Sequence, residues 1–265
     1  CSVRRQRQMC IRDRSSTLDT AGPMTKFVID NILIYNAIND FDPLDDYSVE
    51  NYDIRLEEVV ESKLEEYTIG YYKSFYERDS LYKNAIDFLT ENGVELQVID
   101  APQIRLEGFA KILDEDMRYD LRSYLFFYGS KNLKVEDISS IIKHNEMDSI
   151  ERAPYGQGIF KKIIQDTMSI NDFEDLKFEL MTKGNEFFDI PMDKYNLDAV
   201  LSINNYHAGY AAMAHNPCLT VPMKLRKNNE PAGLTIIAKS FQEQKLYEIG
   251  YFFEKNYMGR IPPKN

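Results

Sequence analysis

A strand, a helix and a second strand follow one another between Tyr67 and Ile99, and no other stretch constrains the fold as much. Tyr67 to Tyr72 is short and rich in aromatic and β-branched residues. Ser80 is placed to cap a helix that runs to about Asn92. Gly93 then supplies the left-handed residue that stops it. Val94 to Ile99 alternates as a strand, and Pro102 ends it. Two strands flanking one helix argue for an α/β sheet.

The flanking segments extend this plan. Gly22-Pro23 is expected to open a helix, because proline at a first helical position gives up no useful N–H. Met24, Phe27, Val28, Ile32, Tyr35 and Ile38 follow at helical spacing, and Asp42-Pro43 stops them. The acidic stretch from Asp40 to Asp53 reads as a surface loop. Its Asp42, Asp45 and Asp46 lack the glycine and distal glutamate of a calcium loop. The middle of the chain is helical, with a strong apolar period from Phe109 to Tyr128. Val135 to Lys143 and Ile159 to Met168 are shorter helices. Another starts at Asn171 or Asp172 and is expected to end near Phe188, before Pro191. The last quarter returns to strands at Ala199–Ile203, Leu219–Met223 and Gly233–Ala238. A small-residue helix spans Ala208–Ala214, and a final helix runs from about Gln242 to Lys255. The fold class is α/β, a mixed β-sheet flanked by helices with a helical middle segment.

The 265 residues are 43% hydrophobic and 28% charged, with a formal net charge of -11. That acidity argues against nucleic acid or an anionic membrane as the main partner, although a local basic site is compatible with it. No apolar run approaches 18 residues, so no membrane-spanning helix is expected. Three cysteines, Cys1, Cys10 and Cys218, form neither a disulfide framework nor a CxxC metal pattern. A reducing, cytoplasmic setting is the plain expectation. Cys218, between Pro217 and Leu219, is expected to be a small buried hydrophobe.

Residues 1–14 stand apart. They carry five arginines against one aspartate and have no apolar core of a signal peptide. A basic nucleic-acid arm is one reading. The string Gln8-Met9-Cys10-Ile11-Arg12-Asp13-Arg14 resembles a translated adapter of the kind met in metagenomic assemblies. On the favoured reading this head is not native, and residues 15–265 are part of a single domain.

Leu18-Asp19-Thr20-Ala21-Gly22-Pro23-Met24-Thr25, followed by a helix and Asp42-Pro43-Leu44-Asp45-Asp46, resembles the amidase signature family. The C-terminal block agrees in order: Leu197-Asp198-Ala199-Val200-Leu201, then Pro217-Cys218-Leu219-Thr220-Val221-Pro222, then Gly233-Leu234-Thr235-Ile236-Ile237-Ala238. Tyr155-Gly156-Gln157 is similar to a short element of the same enzymes. Departures occur at Lys26, at Ser202 to Asn205, at Asn228-Asn229, and at Lys224, where the family usually has glycine.

The resemblance implies a C-terminal half of a partial amidase-signature fold. The family cleaves carbon–nitrogen bonds of amides with a serine nucleophile, a second serine in a cis peptide, and a lysine. The lysine must be neutral to take a proton, the middle serine relays it, and backbone N–H groups of a Gly/Ser-rich loop face the developing oxyanion. No such loop is found here, and the resemblance places those residues before Ser15. The implied chain therefore contributes fold and pocket wall, has no catalytic residue, cofactor or metal, and is inactive alone. A small amide or peptide amide is the implied substrate of the whole enzyme. The absent half is expected to dock on an exposed apolar face. The alternatives are a non-catalytic α/β binding or scaffolding module and a fragment of the amidase-like component of a tRNA-dependent amidotransferase.

Candidate residues for the wall of a substrate pocket are Tyr155, Gln157, Asn205, Tyr206 and His207. Asn205 to His207 follow a strand end, where ligands of α/β sheets bind. His207 and His215 share a spacing that suits a metal pair, but no third ligand stands near them. Ser15 and Ser16 are read as turn or cap residues. Gly129-Ser130 is read as a helix stop.

Overall fold

The structure is a computed structural model that describes residues 15–43, 48–50 and 52–262. In chain order the elements are α1 (Val28–Ile38), α2 (Leu56–Glu61), β1 (Thr68–Tyr72), α3 (Lys73–Arg78), α4 (Ser80–Glu91), β2 (Glu95–Ile99), α5 (Phe109–Tyr128) and α6 (Ile138–Glu146). They continue with α7 (Ser149–Arg152), α8 (Gly158–Gln165), α9 (Ile170–Tyr195), β3 (Ala199–Ile203), α10 (Ala208–Met213), β4 (Cys218–Leu225), β5 (Pro231–Ile237) and α11 (Glu243–Tyr257). Two compact units divide them. One comprises Cys1–Ala21 with Leu106–Met181, and the other Gly22–Arg105 with Thr182–Asn265.

The second unit holds the sheet, in the order β2-β1-β3-β5-β4. β1 pairs in parallel with β2 and with β3, bringing Ile69 opposite Leu96 and Gly70 opposite Val200. β5 runs antiparallel to both its neighbours, with Leu201 opposite Ile236 and Val221 opposite Leu234. The mixed α/β sheet read from the sequence is the one observed. Gly93 takes φ +81°, the left-handed stop that frees the chain to enter β2. The cap of α4 is Asp79, one residue earlier than expected. Its carboxylate accepts the N–H groups of Leu81 and Tyr82, both at 3.0 Å.

Alternation along the strands sorts two cores. Leu201, Ile203, Val221, Leu234 and Ile236 face α11, where Leu246, Ile249 and Phe253 are buried with them. The opposite face buries Val200 and Ile237 against Phe187, Phe188 and Met192 of α9 and Ala211 of α10. Roughly 1.5–3 kcal/mol accompanies burial of each such large side chain, so α9 is held here firmly. That explains one departure from expectation. α9 does not end before Pro191 but continues through it to Tyr195. The lost hydrogen bond and the ring clash cost about 3 kcal/mol, and burial of Phe187, Phe188 and Met192 outweighs them.

Other boundaries also differ. α1 starts at Val28 rather than at Gly22-Pro23, and Met24 is exposed. The chain before it is extended, tied by Asn31, whose side-chain amide donates to the Pro23 carbonyl at 2.8 Å. α5 matches its expected span, and Gly129 is its C-cap. Asp45 and Asp46 lie outside the described residues, as does the whole of the 1–14 head.

The first unit is helical. Ile138 and Ile142 of α6 pack with Ile163 of α8, and Met117, Leu121 and Phe160 close over them. Two buried carboxylates interrupt the apolar face of α5. Glu115 forms ion pairs with Lys111 at 3.2 Å and with Arg118, and accepts the Met168 N–H. Asp116 and Asp120 receive the turn at Ser15–Leu18. Ser15 Oγ donates to Asp116 at 2.6 Å, Thr17 Oγ1 to Asp116 at 3.1 Å, and the Ser16 N–H to Asp120 at 2.6 Å. Ser15 Oγ also accepts the Leu18 N–H at 3.0 Å, a turn role as expected.

Candidate functional site

The second unit carries an open groove of about 540 Å³ on the sheet face opposite α11. It exists because α9 and α10 cover only part of that face. Asn204 and Asn205 form one wall just after β3, Cys218 and Thr220 of β4 another, and Gly233 and Thr235 of β5 the floor. Asn204 adopts φ +48°, a left-handed conformation that asparagine tolerates. There its backbone N–H donates to the Gly233 carbonyl at 2.9 Å. Its side-chain oxygen accepts the Gly233 N–H at 2.7 Å. The strand pairing of β3 with β5 is thereby prolonged by one side chain. Thr220 and Thr235 join their hydroxyls at 2.8 Å across β4 and β5.

Of the pocket-wall candidates in this unit, Asn205 lines the groove and is exposed. Tyr206 is 70% exposed, its ring edge-on to Phe75 at 4.9 Å. His207 is not among the lining residues. It is buried within an aromatic enclosure, its ring 4.5 Å from Tyr72, 5.1 Å from Phe187 and 5.4 Å from Phe75. Its Nδ1 meets Ser202 Oγ at 2.9 Å. Burial pulls its pKa down to about 4, so the ring is neutral at pH 7. Ser202 is fully buried, so this Ser–His contact has no approach for a substrate and acts as an internal strut. The buried Tyr72 hydroxyl has no hydrogen-bond partner.

In the first unit, Tyr155 is fully exposed at the turn before α8. Gln157 is engaged within its own unit. Its side-chain oxygen accepts from Asn145 at 3.2 Å, and its side-chain nitrogen donates to the Ile142 carbonyl at 3.3 Å. It ties the start of α8 to the end of α6.

Cys218 departs from expectation. It is exposed, because β4 is the last strand of the sheet and this face is uncovered. The protein around the groove nevertheless pushes its thiol up to about 12 by desolvation, which leaves the thiolate scarce at neutral pH. His215, exposed with φ +54°, does not join His207. Among the described residues no group of His, Cys, Asp and Glu could hold a metal ion, and no helix is long and apolar enough to cross a membrane.

Lys224 has φ +97°, beside an irregularity in the β4–β5 register between Pro222 and Leu225. A side chain there is strained, and glycine would not be. The Lys224 ammonium lies 5.0 Å from the Tyr257 ring.

The five-stranded mixed sheet, its helical layers and the groove at the β4 side define an α/β fold of the amidase type. Residues 3–166 match the amidase family, and the chain belongs to it. Its structure is similar to that of an amidase family protein from Bacillus anthracis str. Ames, with a TM-score of 0.83 and 27% identity over 95% of this chain and 51% of that one. The native peptide amidase from Stenotrophomonas maltophilia shares the fold, with a TM-score of 0.80 and 21% identity, over 94% of this chain and 56% of that one. A glutamyl-tRNA(Gln) amidotransferase component from Staphylococcus epidermidis is 22% identical over 92% of this chain and 56% of its own length. The chain thus spans about half the length of these relatives.

Proposed function

We propose that this chain is the sheet-forming, groove-bearing half of an enzyme that hydrolyses amides. Its nucleophile and base would come from polypeptide outside the described residues. The observation that carries the reading is the family match at half length, joined to an open groove that presents no activated nucleophile. Ser202, which meets His207, is buried, and the exposed thiol at the groove is held protonated. Asn205 and the exposed Thr220 hydroxyl oxygen suit a carboxamide, whose oxygen accepts and whose amino group donates. Tyr206, next to Asn205, would extend that wall over a small amide or peptide amide. Tyr155 and Gln157, in the first unit, are proposed as further substrate-contacting residues of the whole enzyme.

Treating the purified chain with a fluorophosphonate tests this. No stoichiometric labelling is expected. Stoichiometric labelling of one serine would overturn the reading.

The identity to the amidotransferase component favours a second reading, a half of such a component. The two part on one assay. A whole protein that releases ammonia from a peptide amide with no tRNA present is an amidase.

A further inference from the structure

The groove holds a chain of hydroxyls whose direction is fixed. The Thr235 hydroxyl donates to the Asn204 carbonyl oxygen. A carbonyl oxygen only accepts, so Thr235 commits its single hydrogen there. Thr220 Oγ1 stands 2.8 Å from Thr235 Oγ1, on the neighbouring strand. With the Thr235 hydrogen already committed, this second bond forms only if Thr220 donates. Both hydrogens therefore run inward, from Thr220 to Thr235 to Asn204. For anything in the groove, Thr220 has only oxygen lone pairs left.

The side chain is held in that pose. The Thr220 methyl lies over Gly233, where a β-carbon would collide with it. Threonine is stiff at χ1, so a fixed methyl also fixes the oxygen. Thr220 is exposed and Thr235 is buried, so the exposed end of the chain is its acceptor end. Among the described residues lining the groove none is charged, so no cation reverses that polarity.

We infer, on the amide-hydrolase reading above, that Thr220 sets the specificity of the groove by accepting an N–H of the ligand. Its ligand class is then the primary and secondary amides. N,N-disubstituted amides, esters and the carboxylate that hydrolysis leaves are turned away. Asn205 offers both a donor and an acceptor and adapts to any of these groups. Thr220 does not. A tertiary amide or an ester brings it no donor, and a carboxylate sets a charged oxygen against its lone pairs. The oxygen that holds the substrate thus favours departure of the acid formed from it.

Binding of benzamide, N,N-dimethylbenzamide, methyl benzoate and benzoate to the purified chain tests this. NMR shifts at the Asn205, Thr220 and Gly233 amides follow each titration at neutral pH. Benzamide is expected to bind about five-fold more tightly than the dimethyl amide or the ester, and about ten-fold more tightly than benzoate. Thr220→Val keeps the shape and removes the acceptor, so benzamide should lose about five-fold and its advantage over the dimethyl amide. Thr220→Ser should keep both. Thr235→Val frees the Thr220 hydrogen to turn outward, so the ester and benzoate should gain about three-fold while benzamide does not. A merely structural role would weaken all the probes together. Thr220 is exposed, so its two variants decide should Thr235→Val fail to fold. Equal affinity for benzamide and its dimethyl form, with shifts at the groove, overturns the role of Thr220 and leaves the amide groove standing. No shift at the groove with any probe overturns the groove as the amide site as well.

Discussion

The hydroxyl of Ser15 donates a 2.6 Å hydrogen bond to Asp116, 101 positions further along the chain. This contact and its neighbours at Thr17 and Asp120 fasten the turn that leads towards α1 onto the middle of α5. Asp116→Ala would strand the buried Ser15 hydroxyl without its acceptor, at a cost of about 1–3 kcal/mol. Denaturant unfolding followed by exchange within residues 106–181 should report that loss.

The same pair has a pH signature. Burial pushes the Asp116 and Asp120 carboxyls above the usual range, against the pull of the Ser15, Thr17 and Ser16 donors. A carboxyl raised in the folded state favours folding when protonated. That contribution is complete below the unfolded pKa and is lost as pH rises through the folded value. The stability advantage of the natural chain over Asp116→Asn should therefore grow between about pH 7 and about pH 4. An advantage independent of pH would refute it.

His207 predicts the opposite slope. Its folded pKa, about 4, lies below the ordinary histidine value. Its contribution is present above about pH 6.5 and is lost as pH falls towards the folded pKa. Between about pH 7 and about pH 5 the loss should be about 2 kcal/mol. Replacing His207 by Phe should flatten that part of the curve, at the cost of leaving Ser202 without its partner. NMR of the ring carbons at pH 5 should still show a neutral imidazole in the folded protein.

Lys224 holds a conformation that glycine adopts freely. A non-glycine residue in such a region costs about 1–3 kcal/mol, and an exposed cation–π contact with Tyr257 returns about 0.5–1 kcal/mol. Lys224→Gly should therefore raise stability by about 1 kcal/mol, or a few degrees in Tm. A lower Tm would show that the Tyr257 contact outweighs the backbone strain.

Gly259 has no room for a β-carbon above the Pro222 carbonyl. Gly259→Ala should cost about 1–3 kcal/mol and lift residues 258–262 from β4. Faster exchange confined to that tail is the expected result.

The strand–helix–strand unit was legible because each of its signals is local: a cap, a left-handed glycine, an alternation. The span of α5 was legible for the same reason. Pro191 misled because the burial that carries α9 through it comes from strands far away in sequence. α2, α3 and α7 are too short to establish a period, and they went unseen. Cys218 read as buried because an apolar strand looks the same at the centre of a sheet and at its border. The groove itself is written in no motif. Asn205 pointed towards it, but its other walls depend on how β4 and β5 pair and on where α10 stops. The enclosure of His207 by Tyr72, Phe75 and Phe187 likewise assembles residues from three elements.

β2 borders the sheet on the side away from β4, and it carries the exposed charge of Glu95 and the Gln97 amide on the Val98 carbonyl. A sheet open on both sides can add copies without end and grow into a fibre. These two side chains work against such growth on the β2 side.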